Sequence, residues 1–157
     1  MKLMIEPYIG IGPLKFGMAI EEVRKILGKR PEIHLFYHNR ELYHDLGIFV
    51  DYVTPGVCQA IEVVRPARPE FQGQRFLNKP VNQMLEWFRE HDSEVKLDGA
   101  GLISHKFGIA LYCGSTKNMR SPVQSVFVFE RGYYKSKERR TRRMDLRRYS
   151  PPAKKTS

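Results

Sequence analysis

Apolar residues recur at helical spacing at Ile20, Val23, Ile26 and Leu27, and again at Val81, Met84, Trp87 and Phe88. Each set falls on one side of a 3.6-residue helix and predicts an amphipathic helix with a single buried stripe. The first helix begins after the Gly17-Met18 turn, carries Glu21 and Glu22 early and Arg24 and Lys25 late, as the helix dipole favours, and ends at Gly28. The second follows Pro80, whose fixed φ and missing N–H suit a first helical turn. After each helix the apolar period shortens to two. IHLFYH, IFVDYV and AIEVV read as strands separated by a polar turn near Asn39 and by the Pro55-Gly56 turn, and GIALYC and SVFVFE read as a second series. RPARPEF reads as a connector, and IGIGPLKFG as a turn into the first helix.

The two halves also match in sequence. YHDLGIFVDY lies over SHKFGIALYC with His44 on His105, Gly47 on Gly108 and Ile48 on Ile109, an offset of 61 residues that also superposes the two helical stripes. QAIEVV lies over QSVFVF once four residues are allowed in the preceding loop. The expected fold is therefore α+β, with two diverged repeats of a helix plus antiparallel strands, about 9–66 and 70–134. Together they form a sheet with both helices on one face.

Charge divides the chain differently. Of the net +10, residues 135–157 hold ten Lys or Arg against Glu138 and Asp145, a net of +8, which leaves +2 for residues 1–134. The expectation is one globular domain over 1–134 and a basic, flexible tail over 135–157. With 157 residues a core can form without disulfides or metals, and Cys58 and Cys113 have neither a CxxC partner nor a histidine at ligand spacing. No apolar run approaches a membrane span and no signal-peptide h-region is present, so a cytoplasmic protein without a membrane partner is expected.

Candidate chemistry is sparse. His34 and His38 share a strand face and could hold a metal, but a solvated or hairpin-pairing role is the expected one, while His44 and His105 are expected to satisfy turn carbonyls. Asp51 and Glu62 alternate with apolar neighbours and are expected to face solvent. Ser104 beside His105 defines no triad, and IGIGPLKFG lacks the GxxxxGK[ST] pattern of a phosphate loop. An enzyme is not expected, and no motif implies a cofactor or a metal.

The opening GIGPLKFGMAIEEVRKILG, the segment LGIFVDY and the closing SVFVFERGYY together resemble small bacterial proteins of the immunity-protein kind. That group is similar in having a GxLxFGMxxEEVxxxLG opening, a paired strand module and a terminal GYY, and several members are encoded beside polymorphic toxins. The likeness covers most of residues 9–134, and its opening is also similar to that of two-repeat inhibitors such as the beta-lactamase inhibitory protein. The Arg-rich tail departs from the group. The resemblance implies a non-enzymatic protein-binding inhibitor that neutralises a cognate toxin by occluding its active site, with no catalytic residues to carry over. Aromatic anchors would supply contact area, and Tyr43, Tyr52, Tyr112, Tyr133 and Tyr134 are the ones expected to be exposed, because a phenol tolerates water. The near-neutral body does not mimic nucleic acid, so a nuclease is not the favoured target. The alternative is a nucleic-acid- or ribosome-associated protein using Arg139, Arg140, Arg142, Arg143, Arg147 and Arg148 for phosphate contacts.

Overall fold

The computed structural model describes residues 1–28, 30–35, 39–53 and 56–135. In chain order the elements are β1 Leu3–Glu6, β2 Gly10–Ile11, β3 Leu14–Lys15, α1 Ile20–Leu27, β4 Ile33–Leu35, β5 Arg40–Tyr43, β6 Ile48–Val53 and β7 Val57–Val63. There follow β8 Pro69–Phe71, β9 Gln74–Arg75, α2 Val81–His91, β10 Lys96–Leu97, β11 Gly101–Ser104, β12 Ile109–Tyr112 and β13 Ser125–Phe129. The protein is thus a mixed α+β structure dominated by sheet. No helix among the described residues is long and apolar enough to cross a membrane.

An antiparallel sheet of eight strands runs β10-β11-β12-β13-β7-β6-β5-β4. Its inner face carries Leu102, Leu111, Val126, Val63, Ile48 and Tyr43 side by side across six strands, a row fixed by the cross-strand registers. Onto this face pack Val23 and Leu27 of α1 and Val81, Met84, Leu85 and Phe88 of α2, all in one buried cluster. α1 starts where the Ala19 N–H donates to Glu22 Oε1 at 3.0 Å, and it stops at Gly28 in the left-handed region with φ 70°. α2 ends at Asp92, which is buried and whose Oδ2 accepts from Ser104 Oγ at 2.7 Å, tying the helix to β11.

The single expected sheet is joined by a second one, of five strands ordered β3-β2-β1-β8-β9. The glycine-rich IGIGPLKFG is a hairpin here rather than a plain turn, because Gly10 and Ile11 of β2 pair with Lys15 and Leu14 of β3. The connector likewise contributes β8, which runs parallel to β1. Two-residue strands leave no alternation to read in the sequence. This smaller sheet supplies Leu3, Ile5, Ile11, Leu14 and Phe71 to the same core.

Main-chain contacts recur between the halves. Cys58 N donates to Met18 O and Val123 N to Lys79 O, each at 2.8 Å, while Gly17 N donates to Cys58 O and Asn78 N to Val123 O at 2.7 and 2.8 Å. Val64 N donates to Gly47 O at 2.8 Å, as Phe129 N does to Gly108 O at 3.2 Å. At the seam β7 pairs with β13, and Glu62 stands opposite Phe127, the residue that the four-residue adjustment makes its own counterpart.

Candidate functional site

The outer face of the large sheet lies away from the helices and is unevenly covered. Registers place Ile103, Ala110, Phe127, Glu62, Phe49 and Leu42 in one row across β11, β12, β13, β7, β6 and β5. All six are only partly buried. At one end the face is covered by Tyr8, Tyr133 and Tyr134 around Ala60 and Phe129. There Tyr8 Oη donates to the His105 carbonyl, and the Arg131 guanidinium lies 4.2 Å from the Tyr8 ring centroid.

Beside that covered end is a groove of about 280 Å³. Ile103, Ala110, Tyr112, Ser125, Phe127 and Tyr134 line it, with the carboxylates of Glu62 and Asp98 among its walls. Tyr112 is 47% exposed and stands directly across the ladder from Ser125. The Ser125 hydroxyl is buried without a hydrogen-bond partner. Asp98 Oδ1 accepts from the Ala100 and Gly101 amides at 2.7 and 2.9 Å, a turn that starts β11 and fixes the carboxylate at the rim. Burial, and after it the Asp98 charge, push the Tyr134 hydroxyl above its ordinary pKa. The arrangement offers aromatic area, the Asp98 carboxylate and an unfilled hydroxyl. It positions no nucleophile next to a base.

The expected anchors divide accordingly. Tyr112 is exposed and Tyr134 half-buried, and both line the groove. Tyr43, Tyr52 and Tyr133 are buried, at 0%, 2% and 6% exposure, and correct the expectation that they face solvent. The reason for the first two is Glu41, a fully buried carboxylate on the inner face whose Oε1 accepts from Tyr43 Oη at 3.0 Å and Tyr52 Oη at 3.2 Å. Arg24 of α1 completes this cluster through Nε, 3.1 Å from Glu41 Oε2, and through a second, shorter bond. A phenol with a buried acceptor has no need of water. Tyr133 is held among rings, 5.4 Å from Phe127 and 5.9 Å from Phe129 between centroids.

Asp51 and Glu62 do lie on the outer face but are not simply solvated. Arg40 places Nε 2.9 Å from Asp51 Oδ1, bonds Glu62, and lies 4.4 Å from the Phe49 centroid. His44 and His105 are exposed, and their turns are closed by backbone rather than ring: the His44 carbonyl accepts from Gly47 N, and the Ser104 carbonyl from Gly108 N. Ser104 is buried with its hydroxyl on Asp92, while His105 is exposed. Glu32, His44 and Asp45 bring ligand-type atoms within 4.8 Å of one another, all exposed, with Glu32 engaged by the His44 amide. Both cysteines are buried and free. His38, the side chain of His34 and the arginines at 139, 140, 142, 143, 147 and 148 lie outside the described residues.

The groove depends on residues the sequence did not single out, Asp98 and Ser125, and only the alternation that places Ser125 on the outer face with Phe127 could have signalled it. No family model, curated protein or solved structure matches the chain.

Proposed function

We propose that the chain is a non-enzymatic, protein-binding inhibitor of the immunity kind, which occludes its target with the outer face of the large sheet. The observation that carries this reading is the groove, where Tyr112 stands 47% exposed beside half-buried Phe127 and Tyr134. Aromatic side chains that combine exposure with a rigid setting are the usual energetic centres of protein interfaces. The partly exposed row from Ile103 to Leu42 extends this surface over six strands. The recurrent main-chain bonds support a body made of two copies of one unit.

The test is capture of a partner by the full chain and by its Tyr112→Ala variant. A stoichiometric protein held by the full chain and released at least tenfold more readily by Tyr112→Ala is the expected outcome, in line with loss of a central anchor of about 2 kcal/mol. Retention that Tyr112→Ala leaves intact and nuclease abolishes would overturn the reading. It would turn attention to nucleic acid and the arginine pairs of residues 139–148.

A further inference from the structure

The connector between the halves makes a second concave feature, lined by none of the residues of the outer-face groove. A cleft of about 600 Å³ is lined by Arg65, Arg68, Arg75 and Asn78, with Pro66 and Leu77 among its apolar walls. Residues 65–75 hold three arginines against the single carboxylate of Glu70, a local +2 as large as the net charge of the whole body 1–134. Neither Arg65 nor Arg68 has an ion-pair partner among the described residues. Arg75 has Glu70 only at 3.9 Å, beyond hydrogen-bond reach.

Three exposed arginines lining one cleft repel one another and contribute little to folding. Their planar forks match the oxygens of a phosphoryl group, which can accept from several at once. Pro66 and Pro69 fix φ on either side of Arg68, so part of the ordering that a bound anion would otherwise require is already in place. The cleft is too large for a lone ion and falls in the range of organic-ligand pockets. We infer that this cleft binds a phosphoryl group carried on an organic moiety, a phosphate mono- or diester, through Arg65, Arg68 and Arg75. The inference is independent of the outer-face groove.

Thermal unfolding of the full chain tests it, with pyrophosphate, AMP and a short single-stranded oligonucleotide as probes and sodium chloride of equal ionic strength as the control. Ligand held by the folded state alone raises the midpoint, by roughly 3 °C at about tenfold excess over Kd in a chain of this size. Basic residues contiguous in sequence, such as Arg139 and Arg140, attract anions in the unfolded chain too and so shift the midpoint little. The rise should disappear in Arg65→Gln/Arg68→Gln/Arg75→Gln, whose unliganded midpoint should stay within about 2 °C of the parent because all three side chains are exposed. Each single substitution should weaken the effect severalfold, which keeps the test decisive if the triple variant folds poorly. An arginine-dependent rise with AMP identifies a free phosphate ester as the source, and one confined to the oligonucleotide identifies a polymer backbone. A rise with pyrophosphate alone, no rise with any probe, or a rise that survives the substitutions overturns the site.

Discussion

Glu41 is the residue on which the interior turns. A carboxylate at 0% exposure is tolerated because two phenols and one guanidinium surround it, and removing a partner leaves charge in a medium that solvates it poorly. Arg24 itself is 41% exposed, so solvent recovers part of its loss. Arg24→Ala should therefore destabilise by about 2 kcal/mol, below the full range for breaking a buried pair, and a urea midpoint that falls at unchanged slope checks it. Close by, Cys58 faces Tyr52 across the β6–β7 ladder. Burial, with the Asp51 and Glu130 charges behind it, raises the Cys58 thiol from 9.0 to about 12, and burial, with the Glu41 charge behind it, raises Tyr52 well above its ordinary range. Both groups hold their protons more tightly folded than unfolded. Their contribution is thus complete below about pH 9 and is lost as pH rises toward 12, at up to about 1.4 kcal/mol per pH unit for each group. Urea titrations across pH 8.5 to 11.5 should show this decline, shallower in Cys58→Ala; a flat profile would contradict it. The same burial explains why the expectations for Tyr43 and Tyr52 failed: residue type shows that a phenol can be wet, but not that a buried acceptor awaits it.

At the scale of elements, the two helices, their apolar stripes and the strands β6, β7, β12 and β13 were legible because each is long enough to show its period. β5 was not. RELY places a charged residue on the inner face and so breaks the alternation that would reveal a strand. The hairpins β2–β3 and β8–β9 escaped for want of length, and Asp98 and Ser125 escaped with the groove they border because a turn carboxylate and a small strand residue carry no distinctive signal. The turn before β6 was readable, since Gly47 and Gly108 matched in sequence and both adopt left-handed backbone, φ 69° and 67°. A Cβ at Gly47 would stand 2.2 Å from Val64 O, so the residue answers to packing as well as to φ. Gly47→Ala should lower stability by more than the roughly 1 kcal/mol usual for the backbone conformation alone. Gly73→Ala, at φ 78° with nothing within 4 Å of its Cβ, should show only that smaller loss, and comparing the two thermal midpoints separates the terms.

For the molecule as a whole, the internal likeness was visible in the sequence because turn glycines and inward apolar positions are held by geometry, while outward positions are free to diverge. At the seam the two halves differ at one such position. β7 and β13 meet so that Glu62 faces Phe127 and each neighbouring pair is mirrored about that point. Such a ladder is isologous, and either half could in principle offer the same edge to a second copy of itself. In a pairing of two first halves, however, Glu62 would oppose Glu62, and like charges directly across a ladder are unfavourable. In the observed pairing the carboxylate meets a ring, with Arg40 at its side. One position at which the halves differ, at the centre of symmetry, thereby favours joining unlike halves within a chain over joining like halves between chains.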